Sequence, residues 1–379
     1  MTAETAAGSS PLAGVNVVDF GHWVAGPYVA QTLSALGATV VKVERFEGDP
    51  LSRSPTGPHS VVNRGKLSLA LDLKVSGADS VVCRLVTWAD VVVHNYRPGV
   101  ADRIGIGKRR IEEIDPTVVL VEVSAYGFDG PTSRQPGFDP IFTALAGHAW
   151  RAGKAAGRPV CVTRMGPIDC GTGTLGAFAA AVGLYRARRT GAGGTARLSL
   201  LGSSLFLMSE VERSPAGALT GSERVGGDQT SDRLAEALYR LADGWVAVVP
   251  AGEEARRDLV RRLGLAELAS TPSDRWTDAD QETIGAAMRS LTRPELTAQL
   301  AGIAVSVVPC RPPRSETQDG YASSQAFPVT FEGTEMPFLQ QAAAPRLGDN
   351  TTDVLRLIGM NSAEIERLHE TNVVRQRIQ

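Results

Sequence analysis

The stretch 158–202 holds the residue whose type and setting most invite chemistry. Asp169 stands between Pro167 and a Gly/Thr-rich turn at 171–174, just ahead of an apolar run. Leu175, Phe178, Ala179, Val182 and Tyr185 then step at helical spacing, which predicts a helix with that face turned inward. Glycines 191, 193 and 194 close it, and 196–201 reads as a short buried strand. A carboxylate at the start of a helix sits where unpaired N–H groups and the helix dipole favour its anionic form. Two readings stand at this point. Asp169 is a helix cap, a place where Asp is among the commonest residues, or it is a carboxylate used for something else.

The second reading needs elements that bring other polar groups to the same place. Residues 15–20, 39–43, 91–94 and 117–124 are apolar, mostly β-branched runs, and they alternate with helical patterns at 28–36 and 80–89. That alternation predicts a parallel, doubly wound sheet. Residues 67–73 alternate enough for an edge strand or hairpin. In such sheets ligands bind beyond the carboxyl ends of the strands. Here those ends are polar: Asp19 to His22, Glu44 and Arg45, His94 to Arg97, and Ser124 to Tyr126. A nicotinamide dinucleotide is not the expected ligand. Gly21 and Gly26, with four residues between them, do not make GxGxxG, and Glu44 lacks that glycine fingerprint.

From about residue 214 the character changes. Gly217, Gly221, Gly226 and Gly227 punctuate a link. Runs at 238–241 and 245–249 flank an Ala-Asp-Gly turn, a hairpin signal, and amphipathic helices are expected at 253–268 and 281–300. A further strand falls at 305–308, and helices at 351–358 and 362–369 form the tail. The expected organisation is a Rossmann-like α/β domain from 1–213 and 326–379, with a smaller α+β domain at 214–325.

Composition narrows the partners. A net charge of −2 over 379 residues gives no reason to expect nucleic acid or an acidic membrane. The longest nearly apolar run, in the helix after Asp169, is too short to span a bilayer, and the first ten residues do not read as a signal peptide. Cys83, Cys161, Cys170 and Cys310 form no CxxC pair, so free thiols in a reducing cytoplasm are expected. His22, His59, His94, His148 and His369 show no metal-ligand spacing, and no metal is expected.

Several motifs in one order resemble the class III CoA-transferase family, the group of formyl-CoA and carnitine CoA-transferases and related acyl-CoA racemases. They are PLAGVNVVDFGHWVAGPYVAQTLSALGATVVKVER at 11–45, NRGKLSLALDLK at 63–74, ADVVVHNYRPGVADRIGIG at 89–107, YGFDGP at 126–131, PGFDPIFTALAG at 136–147, the Asp169 segment, DGW at 243–245 and APRLGDNTTDVL at 344–355. The resemblance implies a ring-like chain whose two termini build the large domain, interlocked with a second copy as a homodimer. It places Asp169 on the family's catalytic aspartate, a nucleophile toward an acyl-CoA thioester. The activity it implies is transfer of CoA to a carboxylic acid through an aspartyl–acyl anhydride, with CoA thioester as substrate and no permanent cofactor. Gly226 and Gly227 resemble a shortened glycine-rich loop over the site. His22, Trp23, Arg45, Leu71, Lys74, Asn95, Tyr96 and Arg103 fall on CoA-binding positions, where Arg and Lys suit phosphates and aromatic groups suit adenine.

The departures bear on specificity. Val24 stands where some transferases carry glutamine, and Phe138–Asp139 where some carry tyrosine–glutamate. Related racemases have GHD where this chain has Gly137-Phe138-Asp139. A two-base racemase needs that histidine to exchange an α-proton, so transfer is the favoured reading. A racemase and a non-catalytic CoA-binding member are the alternatives.

Overall fold

In the computed structural model the described residues are 10–53, 58–153, 158–161, 166–221, 233–310, 328–332, 334 and 343–377. The chain divides into two compact units. The larger comprises Met1–Ala146, Thr163–Ser209 and Ala322–Gln379, and the smaller Gly147–Val162 and Glu210–Tyr321. Residues 147–162 thus group with the smaller unit, whereas the sequence reading left them in the larger.

The elements of the larger unit run, in chain order, β1 (Asn16–Asp19), α1 (Ala25–Ala35), β2 (Thr39–Glu44), α2 (Pro58–Asn63), β3 (Leu67–Leu71), α3 (Ala78–Trp88), β4 (Val91–His94), α4 (Val100–Arg103), α5 (Lys108–Ile114), β5 (Val119–Ser124) and α6 (Asp139–Leu145). The short α7 (His148–Arg151) belongs to the smaller unit. The larger then resumes with α8 (Pro167–Thr190), β6 (Gly194–Ser199) and α9 (Leu200–Leu207).

Six of these strands pair in parallel in the order β3-β2-β1-β4-β5-β6. The side-chain period of two divides their valines between the faces. Val18, Val41 and Val92 join one core with α3, while Val17, Val40, Val91 and Val93 join another with α1 and α8. Both faces are covered, which is why the strands read as near-continuous apolar runs. β3 is not the expected edge strand. A strand from the C-terminus, β12 (Val374–Arg375), pairs antiparallel along its outer side. The tail is bonded there through side chains: Ser68 N–H donates to Asn350 Oδ1 at 3.1 Å and Ala70 N–H to Thr351 Oγ1 at 3.2 Å. β6 is the half-exposed opposite edge rather than a buried strand.

Helix α8 turns the other way from expectation. Its inward face is Thr172, Gly173, Gly176, Ala177, Ala180 and Leu184, while Phe178 and Tyr185 are 67% and 64% exposed and Val182 is also exposed. The reason is distance between helices. A Cβ at Gly173 would lie 2.8 Å from the Tyr28 side chain, and one at Gly176 would lie 2.6 Å from Val29. α1 therefore approaches so closely that only small residues fit, and the large ones face away.

In the smaller unit, β7 (Glu212–Arg213) and β8 (Leu219–Thr220) pair as a short ribbon. The expected hairpin is present as β9 (Ala237–Leu241) and β10 (Gly244–Pro250). α10 (Glu253–Arg262), α11 (Ala266–Ala269), α12 (Asp278–Met288) and α13 (Arg293–Gln299) follow, and β11 (Val305–Pro309) completes the antiparallel sheet. Each expected long helix is two. Gly264, at φ +81, breaks the first, and a Thr292–Glu295 capping box restarts the second. In the tail, α14 (Thr351–Leu357) and α15 (Ser362–Glu370) pack on the core of the larger unit. No helix among the described residues is long and apolar enough to cross a membrane.

Candidate active site

In an open α/β sheet the crevice for a ligand opens where the strand order reverses. Here that point lies between β1 and β4, whose neighbours lead away in opposite directions. The turn leaving β1, Gly21 to Trp23, is fixed there almost atom by atom. Asp19 Oδ1 accepts from Gly21 N–H at 2.7 Å. His22 N–H donates to Asn95 Oδ1 at 2.8 Å, and Asn95 Nδ2 donates to His22 O at 2.7 Å. Trp23 N–H donates to Asp49 Oδ2 at 3.1 Å, and Lys42 Nζ donates to Gly21 O. Trp23 takes φ +60, a left-handed conformation that a bulky residue holds only when its surroundings impose it.

Beneath the turn lies a buried charge cluster. Lys42 Nζ stands 3.5 Å from Asp19 and 3.8 Å from Asp49, and Lys66 Nζ stands 2.8 Å from Asp19. Lys66 also donates to Pro27 O at 2.8 Å and Asn63 Oδ1 at 3.0 Å, so all three of its protons are placed. Burial pushes the Lys66 ammonium down to about 8 against the pull of Asp19. Burial would raise the Asp19 carboxyl, but Lys42 and Lys66 outweigh it and hold the group below the ordinary range. Burial, and then the charge of Lys42, push His22 down to about 4, so its ring is neutral near pH 7. Its Nε2 lies 3.0 Å from the Tyr96 hydroxyl, whose own ionisation burial pushes up.

Asp169 completes the arrangement. It is the third residue of α8, after the N-cap Gly166, which has no side chain to cap the helix with. The cap comes from another segment. Asp139 Oδ2 accepts from Ile168 N–H at 2.8 Å and from Asp169 N–H at 3.0 Å, while Thr143 Oγ1 donates to Asp139 Oδ1 at 3.0 Å. Gly166 is required by this approach, since a Cβ there would run into the Asp139 carboxylate. With the helix end already satisfied, the Asp169 carboxyl is left for other use. Burial, and then the neighbouring Asp139 carboxylate, push it up to about 7. The adjacent Cys170 is no rival nucleophile, because burial and the same two carboxylates push its thiol up to about 11.

A cavity of about 320 Å³ joins these parts. Of the residues expected in the site, His22, Trp23, Asn95, Tyr96, Phe138 and Asp169 line it. Asp139 stands directly behind as the cap. Arg45, Lys74 and Arg103 are exposed and lie outside the lining, at the end of β2, after β3 and in α4. The Leu71 side chain is sealed in the core at 0% exposure and offers a ligand nothing. Gly226 and Gly227 lie outside the described residues. Among the described residues no cluster of His, Cys, Asp and Glu could hold a metal ion.

Arg97, which the sequence reading placed at the polar end of β4 without giving it a role, lines the cavity next to Tyr96. The residues that hold the turn in shape escaped the sequence reading. Lys42, Lys66 and Asp49 brace the Gly21–Trp23 turn. One signal was present: a lysine inside the apolar run VVKVE, in register with Asp19 at the end of the neighbouring strand.

Comparison with known proteins agrees with this fold. The model of CoA-transferase family III matches residues 12–357. The beta subunit of succinyl-CoA–L-malate CoA-transferase from Chloroflexus aurantiacus is 27% identical over 96% of this chain and 98% of its own. Human succinyl-CoA:glutarate CoA-transferase is 29% identical over 68% of this chain and 60% of its own. A crystal structure of a CaiB/BaiF family protein from Brucella suis superposes with a TM-score of 0.77 at 23% identity, covering 92% of this chain and all of that one. The chain belongs to CoA-transferase family III.

Proposed function

We propose that this enzyme exchanges CoA between an acyl-CoA thioester and a free carboxylic acid, with Asp169 as nucleophile. The observation that carries the reading is the cap made by Asp139. It relieves Asp169 of the structural duty its position suggests and leaves a carboxyl on the wall of the cavity at the sheet's reversal point.

In the first step an Asp169 oxygen attacks the thioester carbonyl, the C–S bond breaks, and CoA leaves as thiolate with an aspartyl–acyl anhydride behind it. The acceptor carboxylate then attacks the aspartyl carbonyl, expels the first acid and forms a second anhydride. The thiolate attacks the acyl carbonyl of that anhydride, which regenerates the Asp169 carboxylate and releases the new thioester. One thioester replaces another, so no ATP is needed. The chain's task is to hold the partners together and keep water out. His22, Trp23, Asn95 and Tyr96 bind the CoA portion in the cavity. Arg45, Lys74, Arg97 and Arg103 supply positive charge for its phosphates. A racemase reading has no support here, because Phe138 carries no exchangeable proton and the Asp139 carboxylate is engaged by three donors.

The large residues on the outer face of α8 support a homodimer, since Phe178, Val182 and Tyr185 form an exposed apolar row. The free cysteines are consistent with a cytoplasmic enzyme.

Hydroxylamine added during turnover tests the nucleophile. It should convert the anhydride to an aspartyl hydroxamate, about 15 Da heavier, on the peptide carrying Asp169. Asp169→Asn should lower transfer by about four orders of magnitude or more. An Asp169→Asn protein that transfers CoA at the original rate would remove the mechanism.

A further inference from the structure

The wall beside Asp169 has a chemistry of its own. Phe138 directly precedes Asp139, whose carboxylate accepts from the Asp169 N–H, so the Phe138 ring is tied to the neighbourhood of the nucleophile. It meets Trp23 edge to face, with ring centroids 5.3 Å apart and planes at 79°. Both rings line the cavity and stand open, 48% and 41% exposed. Their placement is imposed by the fold. Trp23 is held in a left-handed backbone by the Asp49 bond, and Phe138 is the N-cap residue of α6. Val123, Pro136 and Leu200 extend the apolar lining.

Charge tells the same story from the other side. Arg97 is the sole lysine or arginine among the described lining residues, and it sits beside Tyr96 on the exit from β4. Near Asp169 the acidic groups are its own carboxyl and that of Asp139, which raises its neighbour's pKa, beside a Cys170 thiol held in its neutral form. A second carboxylate on a substrate would be desolvated against aromatic rings and repelled by these two, with no partner on this wall. An apolar group there would cover two exposed rings, and an aromatic one could add a third ring to the edge-to-face pair.

We propose that the acyl group handled at Asp169 is an apolar monocarboxylic one, aromatic or branched aliphatic, and not the diacid type found in the relatives' names. The proposal rests on the transferase reading for the location of the acyl group. Phe138, together with the face of Trp23 that meets it while the rest of that ring borders the CoA portion, then determines specificity for the group beyond the thioester.

A competition experiment tests it. The full-length protein is given equal amounts of phenylacetyl-CoA, isovaleryl-CoA and succinyl-CoA with ¹³C-acetate as acceptor, and consumption of each donor is followed by mass spectrometry. Both apolar donors should be consumed about tenfold or more faster than succinyl-CoA, the scale of discrimination that apolar contacts supply. Succinyl-CoA consumed as fast or faster would overturn the proposal and leave the transferase reading intact. A second measurement does not depend on turnover. Calorimetric binding to Asp169→Asn should show phenylacetyl-CoA binding about tenfold tighter than succinyl-CoA, with Phe138→Ala in that background reducing the ratio to about threefold or less. Equal affinities would overturn the proposal. If no donor is consumed with acetate or with a panel of other carboxylic acids, including malate, glutarate and oxalate, while this order of affinities holds, the transferase reading fails and the assignment of the apolar wall stands.

Discussion

At the scale of single residues, Asp169 shows how a functional group is released by another that takes over its structural role. Its carboxyl sits in the first turn of a helix, yet the N–H groups of that turn are bonded to Asp139. The result is a buried carboxyl whose neighbour is negative, pushed up to about 7. Two outcomes follow. In the proposed mechanism the reactive form is the anion, so kcat/KM for an acyl-CoA should rise with pH through about 7 and level above it, measured from pH 5 to 9. The same shift acts on stability with the opposite sense. Between the ordinary carboxylate range and about pH 7 the unfolded chain loses this proton while the folded chain keeps it, so Asp169 progressively destabilises the fold as pH rises. Asp169→Asn should therefore raise the thermal midpoint by an amount that grows from pH 4 to pH 7 and is constant above. A stability gain independent of pH would show that the carboxyl is not perturbed by its surroundings.

At the scale of elements, the turn after β1 is positioned by charges that never reach solvent. Lys42 faces two buried carboxylates and bonds the Gly21 carbonyl, and Asn95 grips His22 from β4's exit. Removing one partner of a buried ion pair costs about 3–5 kcal/mol, so Lys42→Met should lower the thermal midpoint clearly. Lys42→Arg keeps the charge but carries a larger, planar head that displaces Gly21. In that variant the KM for an acyl-CoA should rise about tenfold while kcat changes less than threefold, because in the proposed reading the turn binds CoA and does not touch the reacting atoms. Equal changes in kcat and KM would mean that the cluster supports the fold without positioning the turn.

At the scale of the molecule, the row Phe178, Val182 and Tyr185 is the feature that a single chain leaves unexplained. One helix face of three large residues, all exposed, is a liability in a monomer. The protein should sediment as a dimer even at nanomolar concentration. Val182→Asp places a charge in the middle of the row and should shift the population to monomer or aggregate. A wild-type protein that sediments as a folded monomer would sink the dimer.

The sequence by itself determined whatever depends on neighbours along the chain. The valine-rich strands, the hairpin around Gly244 and the position of Asp169 at a helix start were legible because backbone pairing and side-chain periodicity are local patterns. Shared motifs also carried the family. What lay beyond reach depends on strand order. Asn95 meets His22 across 73 residues because β4 lies beside β1, and Asp139, in the segment after β5, caps a helix 29 residues further on. Helix α8 shows the limit most clearly. Its large apolar residues predicted the inward face, but where α1 approaches closely, at Gly173 and Gly176, there is no room for a side chain. Hydrophobicity along a chain says that a face must be covered. The space left between packed helices decides which face the fold itself covers and which it leaves exposed.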